Sequence, residues 1–182
     1  KRSDAPELLR EVRPRTKRNS TWPPPLAGRG GCCFRFSREP FGSRYWWPCK
    51  DYPLDKPDSV DLYIDYPNTY KTMSNGVIVS DVANGSGRKL IHFKHNYPIA
   101  TYLVAITCAN FTSSTQTWNY ASQSMPVYSY TLNNNARTSF ETWMIPVLNT
   151  LSDRWGTYPF ITEKAANAHY GWGGAMEHQT AS

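Results

Sequence analysis

The chain has 182 residues, 40% of them hydrophobic and 14% aromatic, enough for one ordinary domain or one small domain with part of another. No run approaches the roughly 18 consecutive apolar residues of a membrane helix, and residues 1–18 lack a signal peptide's apolar segment, so the chain reads as soluble, with its compartment left open. The net charge of +6 sits at the start, where residues 1–38 hold ten Lys or Arg against three acids and leave one net negative charge for the rest; a Pro-, Gly- and Arg-rich tail fits disorder better than specific nucleic-acid recognition.

Residues 1–36 therefore stand as an unassigned basic segment, expected to be disordered. From about Phe36 short β-rich runs alternate with turn residues. Asp61 to Tyr66 sets Leu62, Ile64 and Tyr66 on one face and Asp61, Tyr63 and Asp65 on the other, the period of a half-buried strand. The turn Ser74-Asn75-Gly76 leads to a run from Val77 to Val82, and the turn Asn84-Gly85-Ser86-Gly87 to another from Lys89 to Lys94. Thr101 to Cys108 is almost continuously apolar, which predicts a strand buried on both sides. The fold class is mainly β, with a sandwich as the expected architecture.

Beyond Met125-Pro126 the pattern changes to that of a helix with cap candidates at Asn133 to Asn135. Phe140, Trp143, Met144, Val147, Leu148, Leu151 and Trp155 fall on one helical stripe. Pro146 lies off that stripe and should bend the helix without ending it, and Gly156 supplies the stop.

Four cysteines, Cys32, Cys33, Cys49 and Cys108, are too few and too irregularly spaced for a disulfide scaffold or a zinc ribbon. His92 and His95 are three apart, so on a strand they point to opposite faces. His169 and His178 lack an accompanying acid–histidine pattern and read as surface or packing residues. Arg44, Asp51, Trp46 and Trp47 read as structural: the aromatics fill a core beside Pro48, and an Arg–Asp pair would brace a loop.

The most informative stretch is Tyr170-Gly171-Trp172-Gly173-Gly174-Ala175-Met176-Glu177-His178-Gln179-Thr180. Its small residues leave backbone open to an extended peptide, which could add as a strand. Glu177 offers one carboxylate, well suited to a peptide's terminal ammonium in a poorly solvated cleft. On residue chemistry alone, a Gly-rich turn with an exposed Glu is the simpler reading.

Gly174-Ala175-Met176-Glu177 resembles the G-A-M-E-N exopeptidase motif of the aminopeptidase N-like zinc metallopeptidases, with His178 where that family has Asn. Glu39-Pro40-Phe41-Gly42-Ser43-Arg44-Tyr45-Trp46-Trp47-Pro48-Cys49-Lys50-Asp51-Tyr52-Pro53 is similar to its E-P-x-x-A-R-x-x-F-P-C-x-D-x-P, with Ser43 in place of Ala and Tyr52 in place of an acid. The Ser74-Asn75-Gly76 turn and Tyr97-Pro98 also resemble its β-domain. Gly156-Thr157-Tyr158-Pro159-Phe160 resembles the G-x-Y-P-F link between the first catalytic-domain helix and the strand leading to the motif. The resemblances run in the family's order from about residue 37 to 182.

That resemblance implies a partial β-sandwich over 37–127. It also implies that residues 128–182 open a thermolysin-like α/β catalytic domain, with the chain a fragment that stops before the zinc motif. It implies peptide substrates with a free N-terminus, bound through Gly174, Ala175, Met176 and Glu177. The parent's cofactor would be zinc. The family's H-E-x-x-H, which supplies zinc ligands and a general base, is absent from this sequence, so no catalytic or metal-ligating residue is assigned and the chain alone is expected to be inactive. Two other readings remain: a non-catalytic Trp-rich sandwich that holds carbohydrate on an exposed coplanar row of rings, and salt-sensitive nucleic-acid binding by the basic tail.

Overall fold

The computed structural model describes residues 34–36, 40–169 and 175–182. In chain order these form β1 (Phe34–Phe36), β2 (Val60–Pro67), β3 (Lys71–Ser74), β4 (Val77–Ala83), β5 (Arg88–His95), β6 (Ile106–Ala109), β7 (Thr112–Tyr120), β8 (Gln123–Thr131), α1 (Asn134–Trp155) and β9 (Ala165–Ala168).

The expected alternation in Asp61 to Tyr66 is realised in β2, which buries Leu62, Ile64 and Tyr66 and pairs antiparallel with β5 from Val60↔His95 to Pro67↔Arg88. Strand β4 flanks β5 on the other side, with a register shift between Ile78 and Ser80, to give the sheet β2–β5–β4. Facing it is the sheet β1–β6–β3. Leu62, Ile64, Ile91 and Phe93 meet Cys108, Ile99 and Val104 in the space between them. This is the sandwich, closed by hydrocarbon removed from water.

The apolar run at 101–108 is not one strand. Thr101–Leu103 is a 3-10 turn and only Ile106–Ala109 enters the sheet. Within that shorter strand Thr107, Cys108 and Ala109 are all buried, because a third layer covers the far face, where Met73 and Ala109 pack against Phe111, Tyr130, Ala166 and Ala181. Phe34–Phe36, which the sequence reading leaves in the N-terminal basic segment, pairs with β6 as β1. The rest of that segment lies outside the described residues.

The third layer is the sheet β7–β8–β9. Strands β7 and β8 form an antiparallel hairpin, and β9 returns parallel to β8 after α1, a strand–helix–strand crossover. The position 127/128, where sequence places a domain boundary, falls inside β8. Asn133 caps α1 by accepting from the Ala136 N–H at 2.8 Å, and Gly156, at φ 95°, ends it. The helix runs through Pro146.

Its burial departs from the expected stripe. Leu148 and Ser152 are buried, with Met144 and Ile145 packed beside Trp118, Met125 and Val127, while Trp143 and Trp155 are exposed. The helix is turned about its axis so that only one margin of the apolar stripe meets the sheet. Periodicity marks a face, but the docking angle chooses how much of it is covered.

Candidate functional site

Residues 175–182 lie against the sandwich at the turn between β3 and β4. Burial alternates along them: Ala175 and Glu177 are exposed, whereas Met176, His178 and Thr180 are buried. Sequence alone could not show which way the carboxylate faces. Glu177 turns outward, and no described residue hydrogen-bonds or ion-pairs with it. Met176 turns inward and Ala175 outward; Gly174, the fourth candidate residue, lies outside the described residues. His178, which stands where the family motif has Asn, is on the buried side.

The inner side is held by a polar seam that sequence reasoning missed. Asn75, fully buried, donates from Nδ2 to the Gln179 carbonyl at 2.5 Å and to the Leu103 carbonyl at 3.0 Å, and accepts from the Ala105 N–H at 2.8 Å. The Gly76 N–H donates to Thr180 Oγ1 at 2.8 Å. Gly76 itself has no alternative: its φ is +79°, and a Cβ there would lie 2.1 Å from the Lys94 carbonyl oxygen.

His95 extends the seam. It is buried on the opposite face of β5 from His92, as their odd spacing predicts. Its Nδ1 lies 2.6 Å from Glu163 Oε2 and its Nε2 3.2 Å from Gln179 Oε1. Gln179 Nε2 donates to the Pro98 carbonyl, which turns the amide oxygen toward the imidazole. The two ring nitrogens thus face Glu163 on one side and Gln179 on the other. Glu163 Oε1 also accepts from the Asn96 N–H at 2.7 Å, so this buried carboxylate is fully engaged.

Lys164 is buried beside it. Its Nζ donates to the Ser74 carbonyl at 2.6 Å and sits 4.8 Å from the centre of the Phe93 ring. Burial pushes the Lys164 ammonium down to about 7, against the opposing pull of Glu163. The signal available in sequence for this seam was the Ser74-Asn75-Gly76 turn, legible as a hairpin feature but not as a receptor for residues a hundred positions away.

On the outer face of β5, His92 Nε2 lies 2.6 Å from Asp61 Oδ1 and stacks on Tyr63. Burial alone would raise the Asp61 carboxyl, but hydrogen bonds from Lys94 and His92 outweigh it and hold the group below its usual range. Asp51 accepts from the Gly42 and Ser43 N–H groups and lies 3.6 Å from Arg44 Nε, so this pair braces the loop before β2.

Among the described residues no three His, Cys, Asp or Glu side chains converge to hold a metal ion. His95 and His92 are committed to Glu163 and Asp61, and the residues present do not fit a zinc site. Of the rings named for a carbohydrate platform, Trp118 is buried with its indole N–H on Asn149 Oδ1, and Trp46 and Trp47 are half-buried, tilted by 52° to one another and packed against the sandwich core. No helix among the described residues is long and apolar enough to cross a membrane.

Comparison with known proteins places this architecture. Residues 33–103 match the Peptidase M1 N-terminal domain. Solved structures with the same fold include a two-domain M1 zinc metallopeptidase bound to L-tryptophan (TM-score 0.72, 21% identity, covering 82% of this chain and 35% of that one). Another is the M1 zinc metallopeptidase of Deinococcus radiodurans bound to a Tyr-Ser-Ala substrate (TM-score 0.72, 22% identity, 87% of this chain and 38% of that one). No curated protein sequence matches. The chain spans about a third of the length of the solved structures it resembles. Residues 33–103 are thus similar to the Peptidase M1 N-terminal domain, and the described architecture shares the fold of the M1 zinc metallopeptidase structures.

Proposed function

We propose that this chain is the part of a zinc-dependent aminopeptidase that recognises a peptide's free N-terminus, in a parent that removes N-terminal residues one at a time. The observation that carries this reading is the facing of Glu177: its neighbours Met176 and His178 are buried, while its own carboxylate is exposed and unpaired among the described residues. A carboxylate in that state is free to accept a charge-assisted hydrogen bond from a substrate's α-ammonium. Ala175 and Met176 supply a small and an inward-turned side chain beside it, so an extended peptide can run along their backbone, and the motif's Gly174 precedes them in sequence.

Zinc and its ligands belong, in this reading, to sequence other than these 182 residues, and the chain alone does not hydrolyse peptides. The matched sandwich is the N-terminal domain. We place the start of the thermolysin-like catalytic domain near residues 110–111 and not at 127/128, because β7, β8, α1 and β9 share one sheet and its crossover helix.

The test uses the chain itself. A tripeptide with a free N-terminus and its N-acetylated counterpart are titrated into the 182-residue protein, with binding read from amide NMR shifts. The free peptide should bind more tightly and shift residues 175–178, by the roughly tenfold or greater factor that a hydrogen bond to a charged group contributes. Glu177→Gln should abolish the preference without altering the rest of the spectrum. Equal binding of the two peptides would remove Glu177 as the amine anchor.

A further inference from the structure

Thr180 is a β-branched residue held at φ 64°. That conformation is unfavourable for such a side chain, and its persistence means that surrounding contacts over-determine it. The contact is visible: Thr180 Oγ1 accepts the buried Gly76 N–H, while one residue earlier the Gln179 carbonyl accepts from Asn75 and the Gln179 amide from His95. On the far side, Ser182 makes two backbone hydrogen bonds to β9, donating to the Ala166 carbonyl and accepting from the Ala168 N–H, each at 2.8 Å. The segment is thus gripped at 179–180 by the sandwich and at 182 by the third sheet. Glu177 lies two residues before the first grip.

We propose that Asn75, Gly76 and His95 of the sandwich are positioning residues for amine recognition: through Gln179 and Thr180 they set the register and facing of residues 175–180, and so determine that Glu177 is presented outward. The proposal rests on the reading of Glu177 as the amine anchor. Because side chains alternate, a slip of one residue would bury the carboxylate and expose Met176 or His178 in its place. A hydrophobic seam would resist separation but tolerate sliding. This seam is built from hydrogen bonds between buried groups, each of which has a partner at one register and none at the next. Two layers of the fold are therefore needed for one binding group: β7–β8–β9 carries the segment, and the sandwich tells it which way to face.

The experiment repeats the paired titration of free and acetylated tripeptide on Thr180→Val, which keeps the shape and removes the hydroxyl, and on Thr180→Ser, which restores it. Amide hydrogen exchange is measured on the same samples. For Thr180→Val the expected result is faster exchange at Gly76 and at 179–182, unchanged protection in β2 and β5, and a free-over-acetylated affinity ratio that falls toward one. Thr180→Ser should return both readouts to those of the parent chain. Should Thr180→Val fail to fold, Thr180→Ala, which removes the same hydroxyl from Gly76, takes its place with the same expectation. Loosened exchange with the amine preference intact would overturn the proposal while leaving Glu177 as the anchor. No amine preference in the parent chain would sink the Glu177 reading, and this inference with it.

Discussion

The sandwich interior and the seam where residues 163–164 and 175–182 meet the sandwich are both buried, but they are closed by opposite chemistry. Between the two sheets the buried side chains include Leu62, Ile64, Ile91, Phe93, Ile99 and Val104. At the seam they are Asn75, His95, Glu163, Lys164 and Thr180. Apolar burial is strong and non-directional, roughly 25 cal/mol for each Å² withdrawn from water, so it fixes that the layers meet without fixing how. Hydrogen bonds add little net stability when made, yet a buried group left unpaired is costly. They therefore discriminate between registers more than they hold layers together. The region between the two sheets is oily, and the region behind the outward-facing Glu177 is polar.

The largest expected effect breaks the first half of that comparison. Phe93 is fully buried in the sandwich and lies under the Lys164 ammonium, so Phe93→Ala should cost about 3–5 kcal/mol. In denaturant the loss should appear as a shift of the whole unfolding transition, with no separate early loosening of residues 179–182. A selective release of the C-terminal segment would mean that the interior and the seam are not distinct.

Gly76→Ala attacks the seam through the backbone. The added Cβ would meet the Lys94 carbonyl, and the positive φ penalises any L side chain. A destabilisation of about 3 kcal/mol is expected, in the upper part of the range for single substitutions. Unlike Phe93→Ala it should expose the amides at 179–182 to hydrogen exchange before those of β5. Protection lost in the reverse order would contradict the seam's role.

The third expectation concerns pH. Lys164 binds its proton only below about 7 in the folded chain, whereas in the unfolded chain it does so below its ordinary value near 10.5. Between those limits the unfolded state holds the extra proton, so stability should rise with pH across this window, by at most about 1.4 kcal/mol per pH unit from this group. Above about pH 10 the trend should reverse, because burial holds the Tyr130 and Tyr158 phenols protonated beyond their usual range. Thermal melts from pH 7 to 10 would show the slope, and Lys164→Met should flatten it.

The smallest effect belongs to the outer face of β5. The Asp61 carboxylate, held ionised by Lys94 and His92, is partly solvated, and Asp61→Asn should cost under about 1 kcal/mol at neutral pH. Its contribution should vanish as pH falls through the depressed carboxyl range, so wild type and variant should converge in acid. A cost comparable to that of Phe93→Ala would show that the surface pair is as structural as the core.

Much of the sandwich was legible because its strands obey one simple rule. Leu62, Ile64 and Tyr66 alternate with polar neighbours, and β2 buries them as that alternation demands. The helix cap at Asn133 and the stop at Gly156 were equally visible, since both are local backbone chemistry. Strands β7, β8 and β9 were not read from their own periodicity. In β7 the side that faces water is rich in Ser and Thr, and only Trp118 is buried. Strand β8 contains Pro126, normally a sign against a central strand; it is tolerated because β9 begins opposite Val127 and leaves Pro126 beyond its reach. Strand β9 is made of Ala and Asn, residues with little strand preference of their own, and the only pointer to it was the family's link at Gly156 to Phe160.

The Gly174–Glu177 motif identified the candidate residues by resemblance. What sequence determined was local: strand periods, the helix and its caps, the requirement for glycine after Asn75, and a carboxylate among small residues. What only the tertiary structure decided was direction, namely that His95 and Asn75 turn into a seam instead of toward solvent, that α1 covers one margin of its apolar stripe, and that Glu177 faces outward. Side-chain facing at such a seam depends on partners 68 to 104 positions apart, and pairings that distant leave no periodic trace in a single chain.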